Sequence, residues 1–372
     1  MLILILTIYT ISANHYIMNN QIEYEILSAC PVCGSREKKF LFTNTDRMHG
    51  IPGEFGLNQC KDCKAFYLSP RPTLKALPQY YPDDYLPHQG NILEPSGFLR
   101  NIRELLRNTI LYERYHYENF EHKPRIKPNV AGKLLAYLSF FFWDRARYGI
   151  SATVFPPYVK DGRVLDIGCG PGYFLLILKK LGFETYGIEP SEKAASFGRE
   201  KLRLDIKTGT LLDHKFPNNY FHFITMNHVL EHLHNPVEVL SEAKRILHPD
   251  GMIMIRTPNM KSYGYQRFGK NWGPLETPRH LILYSKQSIA GLADKTGLIL
   301  KRFSTTHARS LLYWSLEYEM RSKNNNNKDF GLTGQYTIFQ KLYINALDLY
   351  ERLLILSGND AGEELQAVLV KR

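Results

Sequence analysis

Four cysteines give the first chemical reading. Cys30-Pro-Val-Cys33 and Cys60-Lys-Asp-Cys63 are two C-x2-C turns separated by 26 residues. Each such turn can aim two thiolates at one ion, and two turns complete a tetrahedral sulfur shell for zinc. A closed shell of four thiolates has no open coordination position, so the expected role of the zinc is structural. Disulfides fit poorly in a chain with no clear export signal. A redox C-x-x-C belongs to a strand-to-helix turn in a βαβ unit, and this segment has no such pattern. The fifth cysteine, Cys169, lies inside a glycine loop, where its small size suffices to explain it.

That loop, Asp166-Ile-Gly168-Cys-Gly170-Pro-Gly172, falls where an apolar strand gives way to a helical pattern. Glycines there let the backbone approach a ligand and adopt positive φ. Glu189, 21 residues after Gly168, ends the next strand and can grip two ribose hydroxyls. A dinucleotide fingerprint would need a glycine at 173, where Tyr stands. A pyrophosphate would also gain nothing from the Asp166 carboxylate, whereas a cofactor carrying an ammonium and a sulfonium would.

A third constellation, His228-Val-Leu-Glu231-His232, spells H-x-x-E-H, the inverted zinc-peptidase motif. That chemistry needs a helix to put both imidazoles on one face. Here the motif directly follows the strand Phe221 to Asn227, and Pro236 starts the next helix, so the peptidase reading fails.

The elements that position these groups follow from the apolar pattern. Strands are expected at Arg163–Gly168, Thr185–Glu189, Ile206–Thr210, Phe221–Asn227 and Met252–Thr257, with later strands at Lys301–Thr306 and Glu364–Val370. Helices are expected at Tyr173–Leu181, closed by Gly182, at 192–203 behind a Ser191 cap, and at 237–247. This alternation predicts a doubly wound parallel α/β sheet that binds its ligand at the carboxyl ends of the strands.

The division expected is an N-terminal tail at 1–27, a four-cysteine module at 28–75, a linker and helical segment at 76–150, the α/β core at 151–310, and a helical extension at 311–372 that ends in a last core strand. Met18 is read as an alternative start. The apolar run Leu134 to Trp143 is too short to span a bilayer and is read as a helix packed on the next domain, with a lid or a membrane-surface contact as the alternatives. Asn324 to Asn327 reads as a loop, and Leu342, Ala346, Leu349, Leu353 and Leu356 mark one helix face, a lid or dimer surface.

The chain resembles the class I S-adenosylmethionine-dependent methyltransferases over about 160–310. The resemblance rests on Val164-Leu-Asp-Ile-Gly-Cys-Gly-Pro-Gly-Tyr-Phe, Glu189-Pro-Ser191, Asn227-His-Val-Leu-Glu-His-Leu233 with Asn235-Pro236, and Leu247-His-Pro-Asp-Gly251. It implies a Rossmann-like seven-stranded sheet of order 3-2-1-4-5-7-6 with the seventh strand antiparallel. It also implies S-adenosyl-L-methionine as cofactor. Asp166, Gly168, Cys169, Gly170, Gly172, Tyr173 and Asn227 would then surround its methionine part, Glu189 and Pro190 the ribose, and Thr210 and Leu211 the adenine. Thr210 departs from the family's frequent Asp, so a hydroxyl or backbone amide must substitute. His222 and His248-Pro-Asp-Gly are further departures.

Methyl transfer is an in-line displacement that needs alignment, exclusion of water and, for most hydroxyl or carbon acceptors, a base. His228 and His280 are the candidates for that base, because imidazole titrates near neutral pH. Arg267, Trp272 and Arg279 lie in a long insert after the fifth strand and suit an anionic, ring-bearing acceptor. The order of zinc-ribbon-like module, Ser69-Pro-Arg-Pro72, core and Trp…Pro-Arg-His segment resembles bacterial methyltransferases of surface-glycan and deoxysugar pathways. The acceptor implied is a small molecule or glycan, foremost a nucleotide sugar, in a cytoplasmic enzyme. The alternatives are an RNA acceptor gripped by the zinc module, a lipid or quinone acceptor, or a non-enzymatic binding module. The net charge of +11 favours the RNA alternative, but no dense Lys/Arg block or basic-aromatic stripe supports it.

Overall fold

The computed structural model describes residues 22–81, 155–323 and 334–372, the backbone of 10–11 and 14–19, and the single residue Leu134. Most of the linker and helical segment expected at 76–150, and the loop at 324–327, lie outside the described residues.

Seven strands form the central sheet: β8 (Arg163–Ile167), β9 (Glu184–Glu189), β10 (Asp205–Thr208), β11 (Phe221–Asn227), β12 (Leu247–Pro258), β14 (Leu298–Thr306) and β15 (Glu364–Lys371). Their spatial order is β10-β9-β8-β11-β12-β15-β14. β15 runs antiparallel to both its neighbours, and the other pairings on its β12 side are parallel. This is the 3-2-1-4-5-7-6 order the sequence led us to expect. β8 is legible because Val164, Leu165 and Ile167 are all buried, as a parallel strand covered on both faces requires.

Helices α1 (Tyr173–Lys180), α2 (Glu192–Leu202) and α3 (Pro236–Ile246) connect these strands. Ser191 Oγ accepts the Ala194 N–H at 3.4 Å to cap α2. Pro236 occupies the first turn of α3, where its missing N–H has no consequence. β12 begins at Leu247, earlier than expected, because the His248-Pro-Asp-Gly turn is drawn into it.

The cysteine module contributes β4 (Lys38–Asn44), β5 (Phe55–Cys60) and β6 (Phe66–Leu68). A fourth strand, β13 (Ile282–Leu283), reaches it from the α/β half and pairs with β6. A second small sheet joins β1 (Thr10–Ile11), β2 (Asn14–Asn19), β3 (Ile22–Ile26) and β7 (Arg71–Pro72). Residues read as tail therefore supply strands, and β3 is tied to the module's end. Cys30, Cys60, Cys63, Val32 and Tyr67 share one apolar core with Ile224 and Ile255 of the central sheet and Leu230 of the turn after β11.

The insert carries α4 (Tyr263–Phe268) and is followed by α5 (Lys286–Lys295). The extension consists of α6 (Arg309–Lys323), α7 (Ile338–Leu356) and β15. The apolar face of α7, read from the sequence as a lid or dimer surface, is exposed: Leu342, Leu349, Leu353 and Leu356 are all more than half exposed. The inward face carries Ile344 and Leu347 beside Asp348 and Glu351, two acids that have partners. Among the described residues no helix is long and apolar enough to cross a membrane.

Candidate active site

The four cysteine sulfurs converge. Cys30 and Cys63 are 3.6 Å apart and Cys33 and Cys60 3.5 Å apart, with every thiol free. A tetrahedral ion with Zn–S bonds of about 2.3 Å sets its sulfurs about 3.8 Å apart, so the residues fit zinc. Two backbone turns build the site: Gly34 N–H donates to Cys30 O at 2.9 Å, and Cys60 N–H to Ala65 O at 2.9 Å. Gly34 and Lys64 take positive φ at matching places in the two knuckles. The hydrogen bond from the Cys63 thiol holds the Cys30 pKa below the usual thiol range, which favours binding metal as thiolate.

The glycine loop turns sharply between β8 and α1. Gly168 and Gly172 hold φ of +68° and +86°, and a Cβ at Gly168 would meet Val229 Cγ2 at 2.5 Å. Those glycines thus serve packing as well as ligand approach. Asp166 is buried, accepts the Thr225 hydroxyl at 2.6 Å and is hydrogen-bonded by Asn227. Burial pushes its pKa up to about 7. A cationic ligand would reverse that shift, which fits the ammonium and sulfonium of S-adenosylmethionine. Glu189 accepts N–H bonds from Gly170 and Ser191, both at 2.8 Å. It therefore pins the loop through both oxygens. Cys169 packs under the loop against Gly187, Tyr173 leans on Phe197, and Pro190 separates Glu189 from the α2 cap.

Thr210 and Leu211 behave differently. Leu211 is buried. Thr210 gives both its N–H and its hydroxyl to Asp213 Oδ2, each at 2.7 Å. The donors expected to face adenine are taken, and the acid lacking at 210 arrives three residues later. The signal was in the sequence: Thr-x-x-Asp is a capping-box spacing.

His228 follows β11 in a left-handed conformation, φ +54°. Its Nδ1 is 3.2 Å from Glu231 Oε1 and its Nε2 2.9 Å from Glu364 Oε1. Desolvation disfavours the charged ring, but the two carboxylates outweigh it and raise the pKa to about 9. Glu364 is also bonded by Arg256 Nε at 2.9 Å. His280 is buried, with Nδ1 2.7 Å from Pro274 O and Nε2 3.3 Å from Glu276 Oε2. Both imidazoles have each ring nitrogen within hydrogen-bond reach of a protein oxygen, so in this geometry they hold the loops that carry them in place. Glu364 and Glu276, which hold them, gave no sequence signal.

The insert residues read as acceptor groups are also committed elsewhere. Trp272 is fully buried and donates Nε1–H to Glu363 at 2.6 Å. Arg279 is fully buried on Asp46, Glu276 and Tyr80 O. Arg267 bonds Tyr343 and Glu319. An arginine that satisfies these carboxylates is not available for phosphate, so the three side chains hold the insert against the rest of the fold instead of facing an acceptor.

A seven-stranded sheet of this order, with an acidic glycine loop after its first strand, defines the class I S-adenosylmethionine-dependent methyltransferase fold. Residues 143–300 match the family described as a methyltransferase domain, and the chain carries such a domain. It is 28% identical over 188 residues to an uncharacterized methyltransferase of Schizosaccharomyces pombe, covering 46% of this chain and 62% of that protein. It thus spans less than two thirds of that relative. A ubiquinone biosynthesis O-methyltransferase of Bradyrhizobium diazoefficiens is 26% identical over 176 residues, 42% of this chain and 67% of the relative. A crystal structure of a SAM-dependent methyltransferase from Archaeoglobus fulgidus aligns at 19% identity and TM-score 0.38, covering 56% of this chain and 86% of that one.

Proposed function

We propose that the protein transfers the methyl group of S-adenosyl-L-methionine to a small-molecule or glycan acceptor, foremost a sugar carried on a nucleotide or within a surface polysaccharide. The observation that carries methyl transfer is the Asp166–Gly172 loop, whose buried carboxylate suits a cationic cofactor. When bound, that cofactor supplies an electrophilic methyl on sulfur. The chain's own residues hold it with Asp166 and the loop, keep Glu189 beside the ribose position, and shape the acceptor side with the His228–Glu231 turn.

The preference for a small acceptor over RNA rests on how the cysteine module is seated. Its core is continuous with the central sheet, β13 completes its sheet, and Tyr81 OH lies 2.8 Å from His232 Nδ1. A module fused to the acceptor-side loops caps a site rather than presenting a free grip for a polymer. The sugar preference rests on the order of modules along the chain. The zinc is structural.

The test supplies methyl-labelled cofactor and purified protein to an extract divided into RNA, lipid and sugar-nucleotide or glycan fractions. Label in the sugar-nucleotide or glycan fraction supports the proposal. Label in RNA overturns it, and label in the lipid fraction replaces the sugar with a quinone-type acceptor.

A further inference from the structure

We propose a second metal site, distinct from the four cysteines, at Glu231, His232 and His280, which takes a divalent transition-metal ion of the zinc class. One donor atom from each of the three lies within 4.8 Å of the other two. Two imidazoles and one carboxylate form a set that such ions accept, whereas magnesium and calcium prefer oxygen throughout.

Two observations beyond proximity support this site. First, Glu231 is fully buried, and while its Oε1 faces His228, its Oε2 has no hydrogen-bond partner. A buried carboxylate oxygen left unpaired is rare and calls for a partner such as an ion. Second, both imidazoles are oriented from behind by backbone carbonyls. His232 Nδ1 lies 3.0 Å from Arg279 O, and His280 Nδ1 lies 2.7 Å from Pro274 O. A carbonyl can only accept, so each Nδ1 carries a proton, and in the neutral ring Nε2 is the nitrogen that offers a lone pair. Metal-binding histidines are held in this way.

The three ligands come from the turn after β11 and the loop before β13, so the ion would join the fourth-strand loop to the segment that completes the cysteine module's sheet. Through the two oxygens of Glu231 it would also be linked to His228. Three protein donors leave at least one coordination position for water or an acceptor oxygen.

The test measures metal per chain on the full protein after loading with zinc and gel filtration. Glu231→Gln keeps the side-chain shape and should lower the content by one equivalent, while Cys30→Ser removes a different equivalent. Loading with cobalt should give wild-type protein two sets of bands, one with thiolate charge transfer and one without, and Glu231→Gln should lose only the latter. Unchanged zinc content and an unchanged cobalt spectrum in the variant overturn the site. If Glu231→Gln fails to fold, the wild-type cobalt spectrum decides: bands from thiolate ligands alone overturn it.

Discussion

His228 Nε2 lies 2.9 Å from Glu364 Oε1, which joins the turn after the fourth strand to the first residue of the seventh. With Glu231 on the other nitrogen, the ring is a clamp between two strands rather than a free base. His228→Gln should therefore lower kcat by about tenfold to a hundredfold, the scale of a misplaced reacting group. The shape of the pH–rate profile should stay the same. Loss of one limb of that profile in the variant would return His228 to the role of base.

Asp166 makes a prediction with a defined pH window. Its folded pKa is raised from 3.8 to about 7 by burial. Its neutral form thus stabilises the unliganded protein fully below pH 3.8, and that contribution is lost as pH rises through 7. Binding of a cation needs the ionised form, so cofactor affinity should rise over the same window. Asp166→Asn should flatten both trends and weaken binding by about 1.5–3 kcal/mol, tenfold to a hundredfold. Titration calorimetry across pH 5 to 8 checks the affinity and thermal melts the stability. A pH-independent wild-type affinity would contradict the assignment.

Gly168 tests whether the loop serves packing or only the ligand. Gly168→Ala places a methyl 2.5 Å from Val229 Cγ2 at φ +68°, and should cost about 1–3 kcal/mol. Adding Val229→Ala removes the clash and keeps the backbone strain, so it should restore part of the stability. Full restoration in denaturant melts would show that the positive φ contributes nothing.

The central sheet was legible because parallel strands covered on both faces leave continuous apolar runs such as Val164 to Ile167, and glycine spacing marks the turn between them. The partners of single polar residues were not. Asp46 and Arg279 are 233 positions apart, and nothing local distinguishes an arginine that meets a buried carboxylate from one that awaits phosphate. Trp272 was misread for the same reason, since Glu363 lies beyond any periodic pattern. On α7 the apolar stripe is the exposed face, and the inward one was not legible because it carries Asp348 and Glu351, whose partners His307 and the Glu363 N–H come from outside the helix. The cysteine knuckles were legible because their geometry is set within four residues, whereas the strand that completes their sheet, β13, comes from the far half of the chain.

The four-cysteine cluster should act on the whole molecule. Because Cys60 and Cys63 share a core with the central sheet, chelation or Cys60→Ser should not release the module alone. It should lower a single unfolding transition by about 4 kcal/mol or more, the range typical of a lost metal. Calorimetry with and without chelator checks this. Two separated transitions, with the α/β half unaffected, would mean that the shared core is not cooperative.

Arg279 and Asp46 carry the corresponding argument for the acceptor-side loop. Both side chains are fully buried, and the guanidinium reaches both Asp46 oxygens, at 2.8 and 3.2 Å. Glu276 takes its Nε at 3.0 Å. Removing one partner leaves carboxylates unpaired, so Arg279→Ala should cost about 3–5 kcal/mol. Adding Asp46→Asn to Arg279→Ala removes one stranded charge and should recover part of that loss, so the two effects should be far from additive. An additive pair in denaturant melts would mean that the charges do not interact in the folded state. The loop carrying His280 would then have to be held in place by packing alone.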